Sequence, residues 1–390
     1  MSYKIKVKPE DFIVKEISSI PLKEKGPFGV FILKKKKWNT IDLLKKIAQK
    51  LRIPFDSISY GGKKDRHGIT EQFITIKNPP FKFNIKEDKF ELKHIGFSDE
   101  PMKPQFIENN VFKVTVRAIS PNAIDSIIYH IEKVKNYGFI NYFDDQRFGS
   151  FDPNQGFIAE KIIKGHYNGA LKIYFTHIYP EDKKKAKERK RKISENWGDW
   201  NSCLNFAKTK FEKFAFSHLL ESPKDYISLL QKIPKEEMSM FFSAYQSFIW
   251  NETVKRLLKT LFPVENLLIH KGVAGEYIFF DEIDEKNFEY LKSLEIPTPS
   301  SNAKMPQDII EKIYNEIFFE RQIKPSQFNL KKIRQSFFKS VPRQVLVIPN
   351  ILHKIEDDEV YEGKIKLTLG FILPRGSYAT MLIKRIFAKK

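Results

Sequence analysis

With 390 residues, 41% of them apolar, the chain can bury a sizeable core, which excludes a disordered protein, and its length suggests about two or three domains. Sixty-eight Lys and Arg against 48 Asp and Glu leave a net charge of +20, which favours a nucleic acid or another anionic surface as partner, the alternative being a solubility bias. Cys203 is the only cysteine, which excludes an internal disulfide framework and thiolate-rich zinc or iron–sulfur sites and fits a reducing cytoplasm.

The N-terminal residues run straight into Lys4-Ile5-Lys6 without an apolar leader, and no stretch approaches about 18 uncharged apolar residues. We therefore expect neither a secretion signal nor a membrane span. Thr40 is placed to cap a helix in which Leu43, Leu44, Ile47 and Leu51 share a face, and residues 73–77 are rich in β-branched and aromatic types, as a strand should be. Residues 111–119 alternate Phe112, Val114 and Val116 with Lys113, Thr115 and Arg117, the period of a strand with one buried face. Ser120-Pro121 then offers an N-cap and a first-turn proline to a helix whose face is Ile124, Ile127, Ile128, Ile131 and Val134 and which ends before Gly138.

From about residue 160 to 340 the pattern changes to helical faces and charge runs. Phe241, Ala244, Tyr245 and Phe248 recur at helical spacing, which predicts core packing, and residues 297–301 read as a loop. Strand alternation returns at residues 363–373, with Ile365, Leu367, Leu369 and Phe371 on one side. The expected organisation is a strand-rich domain of residues 1–159 and 341–390, interrupted by a helix-rich domain of residues 160–340. Residues 183–192 hold eight cations and one acid, read first as a solvated surface or flexible loop, second as an arm for phosphates, third as a nuclear signal.

The chain lacks a phosphate-binding G-x-x-x-x-G-K-[ST] loop, a G-x-G-x-x-G turn, an H-E-x-x-H pair and a zinc-deaminase pattern, so no cofactor and no metal is expected. What remains is Gly61-Gly62-Lys63-Lys64-Asp65-Arg66-His67-Gly68, one carboxylate among cations between glycines. As structure alone this is a charged turn between a strand near 58–60 and another near 73. As chemistry, the neighbouring cations keep the carboxylate ionised, fit to act as nucleophile or base, while Lys63, Lys64 and Arg66, with Lys6 upstream, are candidates for holding phosphates. Asn141-Tyr142-Phe143, followed by Gln146-Arg147-Phe148-Gly149, combines an amide that can read a base edge with rings that can stack. The alternative is a structural turn, and one of the two rings is expected in the core because they point in opposite directions if the segment is extended.

These two segments, together with Thr70-Glu71-Gln72, with Pro9-Glu10-Asp11-Phe12 near the N-terminus and with Leu373-Pro374-Arg375-Gly376-Ser377-Tyr378-Ala379-Thr380 near the C-terminus, resemble the TruD family of RNA pseudouridine synthases. The resemblance implies an α/β (α+β) fold: a catalytic domain with a mixed, largely antiparallel sheet, interrupted by a helix-rich insertion. It implies that Asp65 is the catalytic aspartate, that Phe12, Asn141 and Tyr378 contact the target nucleotide, and that Phe143 is the stacking ring. Tyr378 stands where the bacterial pattern has phenylalanine, and its hydroxyl adds a hydrogen-bonding group. The implied partner is tRNA and the implied target uridine 13 of the D arm, with no membrane and no obligatory protein partner. Two other classes remain open at this point: an RNA-binding or RNA-folding protein in which catalysis is secondary or lost, and a metal-dependent nuclease, for which the sequence shows no cluster of closely spaced carboxylates.

Overall fold

The structure is a computed structural model that describes residues 3–79, 83–333 and 337–390. It divides into two compact units, Met1–Phe139 with Val347–Phe387 and Ile140–Leu346 with Ala388–Lys390. The fold is mixed α/β with one large, mostly antiparallel sheet, as expected from the sequence.

That sheet belongs to the first unit. Its ten strands are β1 (Lys4–Ile5), β2 (Phe12–Ser18), β3 (Phe28–Lys36), β4 (Ile58–Tyr60), β5 (Ile69–Lys77), β6 (Ile85–Glu87), β7 (Phe90–Ser98), β8 (Ile107–Ile119), β9 (Ile351–Asp357) and β10 (Ile365–Pro374). They lie in the order β9-β10-β8-β2-β5-β3-β7-β6, with β1 beside β8 and β4 beside β5. All of these pairs are antiparallel except β2 with β5. In β10, alternate residues Ile365, Leu367, Leu369, Phe371 and Leu373 are buried, the period read from the sequence.

Helix α1 (Thr40–Leu51) lays Leu43, Leu44, Ile47 and Ala48 on Phe31, Leu33, Ile74, Ile76 and Leu92 of the sheet. Its cap is Asn39, whose side chain accepts from Ile41 N, and not Thr40 as expected. Thr40 is the first helical residue, and its hydroxyl turns to the backbone of Lys64. Ser120 leads into a single 3-10 turn, Pro121–Ala123, without a side-chain cap, and this turn runs into α2 (Ile124–Tyr137), which ends at Gly138. Ile127, Ile131 and Val134 are buried there, but Ile128 is exposed, because His130 occupies the inward position and its Nδ1 meets the Ile386 carbonyl at 2.7 Å. Strand β8 also departs from a single buried face. Arg117, on the side expected to be wet, is buried because Asp11 and Asp358 surround its guanidinium.

The second unit is largely helical. Residues 183–192 form no loop: helix α3 (Lys184–Glu195) contains nearly all of them, with Lys183 as its cap residue. Lys, Arg, Glu and Ala are strong helix formers, and α3 is pinned by buried Ile193, by an Arg189–Glu212 ion pair to α4 (Lys210–Glu221), and by Lys190 to Asp182 at 2.6 Å. Helix α5 (Lys235–Leu261) runs through the middle with Phe241, Ala244, Tyr245, Phe248 and Trp250 buried. Two antiparallel ribbons complete the unit, Leu267–Gly272 with Gly275–Phe280 and Glu295–Pro297 with Pro342–Gln344. Among the described residues no helix is long and apolar enough to cross a membrane.

Candidate active site

The one parallel junction of the sheet brings the Lys6 and Asp65 segments together. Strands β2 and β5 run side by side with Ile13 opposite Ile69, Val14 opposite Thr70 and Lys15 opposite Glu71. Parallel strands begin at the same edge, so the segments that feed them, residues 6–11 and 61–68, become neighbours although they are far apart in sequence. Gly68 allows the closest approach: a Cβ there would lie 2.2 Å from the carbonyl oxygen of Phe12.

At this edge Lys6 forms an ion pair with the carboxylate of Asp65, and its ammonium lies 4.4 Å from the centre of the Phe12 ring. The other carboxylate oxygen accepts from the His67 backbone N–H at 2.8 Å. Burial pushes the Asp65 carboxyl up, but the charge and hydrogen bond of Lys6, together with the N–H and the ring of His67, outweigh it and hold the pKa below the usual carboxylate value. The group is therefore an ionised carboxylate in a half-buried setting, capable of nucleophilic or basic attack at neutral pH.

The loop that carries it is held from inside the fold. Lys35 Nζ donates to the carbonyl of Asp65 at 2.7 Å and to that of Trp38 at 2.9 Å, Thr40 Oγ1 accepts from Lys64 N at 3.1 Å, and Gln72 Nε2 donates to the Gly62 carbonyl at 3.2 Å. Lys64, a candidate for phosphates, faces inward: its ammonium pairs with buried Glu16 at 2.6 Å and donates to Asn110 Oδ1 at 2.6 Å. Lys63 and Arg66 are exposed and form no ion pair among the described residues.

The Pro9-Glu10-Asp11-Phe12 segment is fastened by its aspartate. Asp11 is buried, accepts from Lys8 N at 2.8 Å, and pairs with Arg117 at 2.8 Å, while Arg117 also reaches Asp358 and Glu359, each at 2.9 Å. Phe12 is buried and meets Phe112 edge-on at 6.2 Å. Tyr378 is half-buried at the N-cap of the C-terminal helix, Ala379–Ile386, just after Gly376, whose φ of +86° turns the chain.

Asn141 and Phe143 form a second group, within the second unit. Asn141 is buried, its Oδ1 accepting from Arg343 Nη2 at 2.8 Å and its Nδ2 donating to the Gln344 carbonyl at 3.1 Å. Tyr142 is wholly buried and its hydroxyl donates to the Ile278 carbonyl at 2.9 Å, so it is a core ring. Phe143 is 9% exposed, lies edge-on to Trp250 at 5.6 Å and carries the Arg343 guanidinium 4.0 Å from its centre. Asn251 of α5 clamps its backbone, accepting from Phe143 N at 2.9 Å and donating to its carbonyl at 2.8 Å.

The family model for tRNA pseudouridine synthase D (TruD) matches residues 1–386. The chain belongs to the TruD family. It is 35% identical over 398 residues to a tRNA pseudouridine synthase D of Aquifex aeolicus, covering 99% of this chain and 98% of the relative. Its match to that of Leptospira interrogans is 33% identical over 402 residues, with 99% and 96% covered. The crystal structure of a TruD protein from Methanosarcina mazei superposes with a TM-score of 0.73 at 26% identity, over 98% of this chain and 92% of that one.

Four residues of this TruD chain that sequence reasoning passed over organise the two groups: Glu16, Lys35, Asn251 and Arg343. Lys35 had a legible signal, since it follows Phe31 and Leu33 at the period of an inward strand face, where a lysine needs a partner. Glu16 likewise follows Phe12 and Val14 on the inward side of β2. Nothing in the local pattern marks Asn251 or Arg343.

Proposed function

We propose that this TruD protein isomerises uridine to pseudouridine in tRNA, with uridine 13 of the D arm as its target. The observation that carries the reading is the Asp65 carboxylate, held ionised by Lys6 on a loop anchored through its backbone by Lys35. The names of the relatives supply the substrate class. In the reaction the bond from C1′ to N1 breaks, the uracil turns, and a bond from C1′ to C5 forms; the proton leaving C5 is balanced by one gained at N1, so no cofactor or energy source enters. An ionised carboxylate starts this either by attacking C1′ or by removing the proton on C2′, and both need Asp65 beside the ribose of an extruded nucleotide.

Extrusion costs a few kcal/mol. Stacking on an aromatic ring, ~1–3 kcal/mol per base, and phosphate contacts from exposed cations such as Lys63 and Arg66 offset it. Phe12, Asn141, Phe143 and Tyr378 are the residues we assign to the nucleotide, and the cytoplasm is the compartment we assign to the protein.

The test is incubation of the protein with unmodified tRNA in EDTA, followed by mapping of pseudouridine. The reading predicts one modified position, uridine 13, without strand cleavage, and loss of modification in Asp65→Asn with tRNA affinity kept within about tenfold. Turnover by a verified Asp65→Asn preparation rules out the assigned role, binding without modification turns the reading to an RNA-binding protein, and EDTA-sensitive cleavage turns it to a nuclease.

A further inference from the structure

We infer that Arg343 is a positioning residue for the isomerisation, the group that fixes Asn141 and Phe143 in the attitude in which they meet the target nucleotide. The inference rests on the reading of those two residues as nucleotide contacts.

Arg343 sits in the ribbon strand Pro342–Gln344, opposite Ile296. Its Nε donates to the Asn141 carbonyl at 2.7 Å, and its Nη2 donates to Asn141 Oδ1 at 2.8 Å and to the Tyr142 carbonyl at 3.3 Å. The same guanidinium lies over the Phe143 ring, 4.0 Å from its centre, and 5.5 Å from that of Trp250. One planar cation thus touches the amide, the intervening backbone and the stacking ring together. Asn141 and Phe143 are both buried, so neighbours and not solvent set their orientation.

The chemistry of the fork determines which way the amide faces. A guanidinium has only donors, so the atom of Asn141 that meets it must be the oxygen, and the nitrogen is turned to the Gln344 carbonyl. An amide has two lone pairs on oxygen and two N–H groups, so one of each remains after these bonds. That pair is the complement of the N3–H of uracil and a flanking carbonyl, the same bidentate logic by which asparagine reads a base edge elsewhere. Without Arg343 the amide oxygen loses its donor and only the single bond to the Gln344 carbonyl still orients the group, so the amide can tilt out of its reading position.

The backbone of Phe143 has a separate anchor in Asn251, which does not depend on Arg343. Removing the guanidinium should therefore leave the segment folded but its side chains misaligned. Lysine cannot replace it, because an ammonium is a point donor and cannot span the carbonyl and Oδ1 of Asn141 as a fork does.

The experiment is a double-mutant cycle in single-turnover assays, with Arg343→Ala, Arg343→Lys, Asn141→Ala and the Asn141→Ala/Arg343→Ala pair, alongside tRNA affinity and thermal midpoints. We expect both Arg343 variants to lose rate on the order of 100-fold, the size of effect a misplacement of about 1 Å produces, with tRNA Kd within about threefold. The pair should be no slower than Asn141→Ala alone, because the two residues act as one device. Arg343→Lys at the wild-type rate overturns the inference, and so do losses that multiply in the pair or that track the thermal midpoint. If Arg343→Ala does not fold, Arg343→Lys decides. Wild-type turnover that Asp65→Asn abolishes keeps the proposed activity intact even when Arg343 proves dispensable, whereas a fully active Asn141→Ala removes both the assignment of Asn141 and the inference built on it.

Discussion

Lys6 reaches the Asp65 carboxylate across 59 positions of sequence because β2 and β5, the only parallel neighbours in the sheet, start side by side. Lys6 does so from a left-handed backbone conformation, with φ at 57°, which costs a non-glycine residue roughly 1–2 kcal/mol. The cation is held at a strained position directly against the carboxylate whose charge the proposed reaction requires.

Removing that cation should move the acidic limb of the reaction. Burial alone raises the Asp65 pKa, and Lys6 is the largest influence opposing it. The folded pKa lies below the unfolded value of about 3.9, so the stability this pair contributes is present above that pH and is lost as pH falls through the folded value. Wild-type single-turnover rates should accordingly be flat from about pH 5 to about pH 7. In Lys6→Met, which keeps the same left-handed strain, the rate at pH 5 should fall several-fold more than the rate at pH 7. Parallel losses at both pH values would mean that Lys6 acts otherwise than by ionising Asp65.

Lys35 should set the alkaline side. Burial lowers its pKa to about 8, against a raising contribution from Asp65 and a further lowering one from Lys64. As pH rises through about 8 it loses its proton, and the charge-assisted bonds to the Asp65 and Trp38 carbonyls weaken. Turnover should decline with a one-proton slope there, and Lys35→Met should be slower but lack that limb. Stability should run the opposite way: the folded pKa lies below the unfolded value of about 10.4, the unfolded chain binds more protons between them, and the contribution of this group rises across that window. Thermal midpoints of wild type and Lys35→Met between pH 7.5 and 10 measure the difference, and curves that stay parallel contradict the assignment.

These two lysines also mark what sequence reading reaches and what it does not. The Asp65 loop was legible because its glycines and charges are contiguous, and β10 because Ile365, Leu367, Leu369 and Phe371 alternate. Lys6 as the partner of Asp65 was not, since their meeting depends on which strands pair in parallel, a non-local fact. Lys64 was read as a phosphate ligand because local composition does not reveal Glu16, whose buried carboxylate draws the ammonium inward. The cationic run reads as a solvated surface or flexible loop because runs of like charge usually are; its helical form depends on the tertiary anchors Ile193, Glu212 and Asp182, which lie outside the run. Arg343 carries no local signal, because its contacts arise only when residues 141–143 and 342–344 come together.

Gly68 and Gly62 form a matched pair for the strand junction. A methyl group at Gly68 meets the Phe12 carbonyl at 2.2 Å, whereas at Gly62 nothing lies within 4 Å. Gly68→Ala should therefore lose about 1–3 kcal/mol of stability, as overpacking does, and most of its activity, because β2 and β5 must separate where Lys6 meets Asp65. Gly62→Ala should stay close to wild type on both counts. Denaturant midpoints together with single-turnover rates decide the matter, and equal tolerance at both positions would show that the junction can yield without disturbing the carboxylate.

Helix α3 should supply affinity for tRNA without base selection. Arg189 and Lys190 are engaged with Glu212 and Asp182, Lys187 donates to the Pro180 carbonyl and Lys192 lies over the Phe206 ring, while Lys184, Lys185 and Arg191 are exposed. Deleting the whole run would remove those internal anchors and disturb the unit, so the informative variant is Lys184→Gln/Lys185→Gln/Arg191→Gln, which leaves them in place. Phosphate contacts release counterions, and each one lost lowers the slope of log K against log salt by about 0.7–0.9. The triple variant should bind tRNA more weakly at low salt, with a slope smaller by about 2, and should modify the same uridine, since phosphate contacts carry no base information. An unchanged slope would make this face of α3 a solvated surface and nothing more. A changed target uridine would instead show that the helix sets the register of the RNA, a role that backbone contacts alone acquire only when they fix where the tRNA lies.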